Sequence, residues 1–223
     1  MFGRSAFFRA RIIALAALLV LLNAGCDDGA TGSATPAPPA NQVMRRVRDA
    51  VSETAGYRIV VEGHNFVLPQ WGGVDGGEVA VRLEDGAARA TLTRTGDGQY
   101  EMVRYGDQTY VQRSTCAYWQ RVPGGGANVL APFVLSDSGV LSATVVSVST
   151  QTPDVLTIGG EFPDIGVATL EVDATSYLPR TLTKSRDDSG SETAWTFDMW
   201  DVAPDITSSA DSPPDQGPGG NPC

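Results

Sequence analysis

The sequence predicts a mainly β fold of the α+β class, a broad antiparallel sheet of about ten or eleven strands that its own width must curl. Three observations predict it. Apolar residues recur at every second position in one short segment after another. Turn residues separate those segments, and only the first stretch of the folded region has the 3.6-residue spacing of a helix.

That helix comes first. Asn41 is placed to cap it, and Val43, Val47 and Val51 fall four apart, with Met44 and Ala50 widening the stripe. Arg45, Arg46 and Arg48 take the other side, and Gly56 supplies the stop. The period then becomes two. Tyr57, Ile59 and Val61 alternate with Arg58, Val60 and Glu62, and His64 ends this first strand. After a Gly/Pro-rich loop, Val79, Val81 and Leu83 alternate with polar or small residues. Asp85-Gly86 marks a hairpin, and Ala88, Ala90 and Leu92 return.

Tyr100–Tyr105 and Thr109–Arg113 flank another turn at Gly106-Asp107, and Tyr118–Val122 makes a short strand. The C-terminal third repeats the grammar. Leu156, Ile158 and Phe162 share one strand, and Ala168, Leu170 and Val172 alternate in the next. Leu178–Arg186 runs to a turn at Asp187-Asp188-Ser189-Gly190, and Trp195, Phe197 and Met199 alternate in the last. One apolar and one polar face per strand is the pattern of an antiparallel sheet with one side buried. The exception is Gly124–Ala143, where two apolar stretches broken by Pro132 and Gly139 read as short helices crossing the sheet, before Thr144–Ser149 returns to strand.

The ends are of a different kind. Arg4, Arg9 and Arg11 precede an apolar run, Ile12–Leu22, and Asn23-Ala24-Gly25-Cys26 follows. A basic flank, a short apolar stretch and small residues at a cleavage point make an export signal. Eleven residues are too few to span the bilayer, which takes about 20. Ala24-Gly25-Cys26 resembles a lipobox, although Asn23 stands where an apolar residue is usual, so residues 1–25 are expected to be removed and Cys26 to carry the lipid. Residues 26–40 hold no large apolar side chain and read as a tether, 41–206 as the folded domain, and 207–223, rich in Pro, Gly, Ser and Asp, as a disordered tail.

Removing 1–25 leaves 13 basic against 26 acidic residues, a net charge of −13. Such a balance argues against nucleic acid, whose affinity comes from phosphate neutralisation, and offers no polybasic patch for anionic head groups. Acyl chains on Cys26 must do the anchoring, which places the protein on the extracytoplasmic side of the cell membrane. Export also puts Cys116 and Cys223 in an oxidising compartment, where the two are expected to pair; two free thiols remain the alternative.

Catalytic patterns are missing from the sequence. His64 is the one histidine, no Gly-x-Ser-x-Gly elbow accompanies it, and Gly124-Gly125-Gly126 is not followed by the Lys of a phosphate loop. Asp187–Glu192 lacks the spacing of a calcium loop. The reading is therefore a non-enzyme with no cofactor and no metal. Trp71, in the loop Pro69–Gly73, is expected at a surface or cavity mouth, and the other three Trp residues in the core.

The order of elements resembles a known family. Tether, helix, meandering strands and mid-chain apolar insert are joined by the phrases Tyr105–Val111, Asn128-Val129-Leu130 and Tyr177-Leu178-Pro179-Arg180. Together they resemble the LppX, LprA, LprF and LprG lipoproteins of mycobacteria, and more loosely the LolA and LolB lipoprotein carriers. The resemblance implies a curved half-barrel with helices on its concave side, enclosing an apolar cavity for lipid acyl chains. It brings no catalytic residues. The cavity would be lined by Val129, Leu130, Phe133, Val134, Leu135, Val140 and Leu141 on the lid, facing Ile59, Val81, Leu156, Leu170 and Phe197 on the sheet. An acylated lipid or glycolipid is the expected ligand, with an envelope transport partner besides. The alternative is the same sheet with a solid core, meeting a protein or wall partner.

Overall fold

A computed structural model describes residues 38–206, apart from 69, 70, 117, 123–128, 137, 138, 164, 187 and 189. The expected signal, Cys26, all but the end of the expected tether, and the tail with Cys223 lie outside the described residues. The chain opens with helix α1 (Ala40–Ser52), which buries Val43, Met44, Val47 and Val51. Pro39, not Asn41, precedes the first turn, and no side chain caps it. Proline is preorganised for a helix start, so the helix begins at Ala40, inside the stretch read as tether. Its stop is also earlier than expected, at Glu53.

Gly56 instead opens strand β1 (Gly56–Leu68), where a Cβ would lie 2.5 Å from the carbonyl oxygen of Val81. That close approach is what the glycine serves. The strand also runs past His64, because an irregularity between Glu62 and Phe66 lets it pair again with β2 (Gly72–Arg82), down to Leu68 opposite Gly72. Strands β3 (Ala87–Arg94), β4 (Gly98–Tyr105) and β5 (Gln108–Arg113) follow as hairpins with the expected turns. The strand expected over Tyr118–Val122 shrinks to β6 (Gln120–Arg121).

Two short 3-10 helices, Ala131–Phe133 and Gly139–Ser142, occupy the insert. Then come β7 (Thr144–Thr152), β8 (Val155–Phe162), β9 (Gly166–Asp173), β10 (Pro179–Lys184) and β11 (Glu192–Asp198). All eleven strands form one antiparallel sheet in the order β6-β5-β4-β3-β2-β1-β11-β10-β9-β8-β7, open at β6 and β7. The first and last strands meet in the middle, Ile59 opposite Phe197 and Val61 opposite Trp195.

The sheet is curved. Seven strand steps separate β4 from β8, about 34 Å on a flat sheet at about 4.8 Å a step. Yet Met102 on β4, Ile158 on β8 and the apolar stripe of α1 belong to one contiguous core. Glycine in β2 accommodates the bend: Gly77 has φ +146°, and a Cβ there would meet the carbonyl oxygen of Thr91 at 2.1 Å. On the convex side, Ala87, Val103, Tyr105 and Tyr110 make a second, smaller cluster closed by Ile206.

The last strand departs from its alternation. Met199, expected to face the core with Trp195 and Phe197, has φ +54° and is 49 % exposed. The strand has already ended at Asp198, and the turn swings Trp200 inward instead, stacked on Phe197 with ring centres 6.1 Å apart.

Candidate functional site

The concave face is built by register. Across one half of the sheet, Met102, Ala90, Val79 and Ile59 stand opposite one another in succession, leading to Phe197. Across the other half, Val61, Trp195, Leu182, Leu170 and Ile158 do the same. Alternation within each strand puts these side chains on one face, so the sheet presents a continuous apolar floor.

The insert lies on that floor. Val129, Leu130, Phe133, Val134, Leu135 and Val140 are fully buried, and Leu141 is half-buried against the same core. Of the expected floor residues, Ile59, Val81, Leu156, Leu170 and Phe197 are all buried in that cluster. The structure therefore brings the twelve expected lining residues together in one contiguous apolar core. Three pockets of about 320, 170 and 90 Å³ are lined by described residues, and none of the three includes any of the twelve.

A polar side chain ties the lid to the floor. The hydroxyl of Tyr57 donates to the carbonyl oxygen of Phe133 at 2.8 Å and accepts from the backbone N–H of Leu135 at 2.7 Å. Tyr57 is itself wedged by Trp200, 5.0 Å between ring centres, and Phe197, 6.2 Å. Next to this clamp the lid ring of Phe133 sits 5.0 Å from Trp195, and Phe66 closes the group at 6.5 Å from Phe133 and 6.1 Å from Trp195. Trp195 is 0 % exposed, and its indole N–H has no acceptor among the described residues. An unmade hydrogen bond of this kind costs about 1–3 kcal/mol in a buried site. Sequence reading placed Tyr57 and Trp195 on the apolar face but missed both polar roles. Neither is encoded in a periodicity that counts only apolar positions.

The Tyr177–Arg180 phrase also has a physical reason. Asp173 closes the β9–β10 turn by accepting from the N–H groups of Thr175 (2.9 Å) and Ser176 (2.8 Å) and from the guanidinium of Arg180. The Ser176 N–H first, then Arg180 and the Thr175 N–H, hold its carboxyl well below the usual carboxylate range. Tyr177 takes a left-handed conformation, φ +61°, and turns its ring to α1. There Arg46 donates to the Tyr177 hydroxyl at 2.6 Å with its guanidinium 5.1 Å from the ring centre.

Trp71 is neither free on the surface nor at the mouth of any of the three pockets. It is half-buried, edge-on to Tyr100 at 5.3 Å, with the Arg94 guanidinium 5.7 Å from its ring. Behind it, Tyr100, Arg113 and Arg94 converge on Asp97, and the Tyr100 hydrogen bond leads in holding that carboxyl low. Cys116 is a free, half-buried thiol, and its expected partner Cys223 lies outside the described residues.

The chain is similar to several solved structures. It resembles LppX of Mycobacterium tuberculosis. That likeness covers 73 % of this chain and 97 % of LppX, at 15 % identity and a TM-score of 0.48. LprF from Mycobacterium bovis is similar over 75 % of this chain and 96 % of its own, at 14 % identity and a TM-score of 0.45. A LolA superfamily protein from Nitrosomonas europaea is similar over 74 % of this chain and 93 % of its own, at 10 % identity and a TM-score of 0.33. No protein-family profile and no curated protein matches the sequence.

Proposed function

We propose that this protein is a membrane-anchored carrier, lipidated on Cys26 and facing the extracytoplasmic side, that takes acyl chains of a lipid or lipoglycan onto the concave floor in place of its lid. The observation that carries this reading is the pairing of an apolar lid surface with an apolar floor, joined through the Tyr57 hydroxyl beside an indole N–H that has no acceptor among the described residues. Apolar surface buried by the lid and by an acyl chain is worth nearly the same, about 0.8 kcal/mol per CH₂. Exchanging one for the other therefore costs little, which a carrier needs, because its cargo comes from a membrane that already shelters the chains. An ester or amide carbonyl arriving with those chains would give Trp195 its acceptor.

The burial of lid and floor in one core equally supports a second reading, a tethered envelope module whose solid core never opens and whose outer surface meets a protein or wall partner. Native mass spectrometry of the full protein extracted from its own membrane decides between them. The carrier reading expects a fraction of molecules with one bound acyl lipid, lost on delipidation and regained on incubation with membrane lipid. Protein that stays free of lipid through both steps overturns it.

A further inference from the structure

Among the described residues, six of the twelve arginines of this acidic domain pair with a described carboxylate. Arg58 pairs with Asp198 and Glu78, Arg82 with Asp85, Arg89 with Glu101, Arg94 and Arg113 with Asp97, and Arg180 with Asp173. Three of the remaining six stand together on helix α1. Arg45, Arg46 and Arg48 are all exposed on the side opposite its buried valines, and none has a carboxylate within 4.0 Å among the described residues, although Asp49 and Glu53 follow on the same stretch. Arg46 leans on Tyr177, and Arg48 donates only to the carbonyl of Met44 in its own helix, at 3.3 Å. Within a net negative charge, three arginines thus gather on one exposed helix face, with Asp49 and Glu53 beside them.

We propose that this α1 face docks on the anionic head groups of the membrane that holds the protein. Two facts select that occupant. Only eleven residues separate Cys26 from Pro38, so the helix start stays within about 43 Å of the anchor even at full extension over twelve steps, and closer otherwise. An anionic surface attracts each nearby arginine by about 1 kcal/mol, whereas the remainder of the acidic domain is repelled. Attraction at one helix and repulsion elsewhere fix an orientation, with α1 against the membrane. Through the α1 contacts with β7 and with the second 3-10 helix, the lid end of the floor is then turned to the lipid as well. The docking concerns the outer face of α1 and stands whether or not the core opens.

Arginine modification by hydroxyphenylglyoxal, mapped by mass spectrometry, tests this on the full chain held in vesicles. Exposed Arg121 and Arg186 serve as internal controls. In phosphatidylglycerol-rich vesicles, Arg45 and Arg48 should react about tenfold more slowly than in pure phosphatidylcholine, with recovery at high salt, while the controls react alike in both. Equal rates in the two vesicle types overturn the proposal. So does protection that persists in phosphatidylcholine, or protection that appears only when envelope protein is added.

Discussion

The hydroxyl of Tyr57, on the first strand, donates to the main-chain carbonyl of Phe133, 76 residues further along, across 2.8 Å of buried interior. That bond, with the one Tyr57 accepts from Leu135, gives the lid a polar attachment to a floor that also holds it by apolar contact. The lid is thereby positioned by hydrogen bonds and stabilised by burial, and the two can be separated by mutation.

Tyr57→Phe keeps the ring between Phe197 and Trp200 and leaves the Phe133 carbonyl and the Leu135 N–H without their phenolic partner. The expected loss is about 1–3 kcal/mol in chemical denaturation. Amide exchange should quicken at Leu135 and its lid neighbours, while β1 and β11 keep their protection. Exchange that quickens evenly across the sheet would show that the tyrosine supports the whole core and not the lid.

The bend of the sheet is expected to depend on glycine at one position far more than at another. Gly77→Ala forces a Cβ to 2.1 Å from the Thr91 oxygen at φ +146° and should cost more than about 3 kcal/mol. Gly86→Ala, at φ +65° with nothing within 4 Å, should cost only about 1–2 kcal/mol. Thermal denaturation of the two variants side by side checks the ranking, and equal costs would remove the argument from close approach.

Much of this was legible in the sequence because alternation is a local property. The strands around Ile59, Ala90, Leu170 and Trp195, the first helix and the apolar insert follow from spacing alone. The rest was not local. β1 runs past His64 because β2 is there to pair with it. Met199 leaves the core because the backbone turns left-handed after Asp198, a turn that no glycine announces. Three arginines without carboxylates can be seen only once the acids are found elsewhere, and a hydrophobic lid reads the same over a filled space as over an empty one.

Acid should weaken the β9–β10 turn. Asp173 is held below its ordinary value in the folded chain, so the unfolded chain binds the proton more readily. Its stabilising contribution is present above the unfolded value of about 3.9 and is lost as pH falls from there through the lower folded value. Asp173→Asn should cost about 1 kcal/mol at neutral pH, a modest figure for a partly exposed site, and progressively less in acid. A stability–pH curve in which the variant and the native chain stay parallel down the acid limb would contradict this assignment.

The anchor is expected at a single sulfur. Cys26→Ala should leave the protein uncleaved or released into the soluble fraction, without the mass of diacylglyceryl. A variant that is processed and membrane-bound as before would place the anchor elsewhere.

The central claim, that lid and acyl chain occupy the floor in turn, is tested most directly by hydrogen exchange of the Leu135 amide with and without bound lipid. On loading, this amide and the others of residues 129–142 should lose protection as Tyr57 lets go, while Ile59, Trp195 and their strand neighbours remain as slow as before. Lipid that binds with the lid amides still protected, or an interior that takes up no lipid at all, would contradict the account.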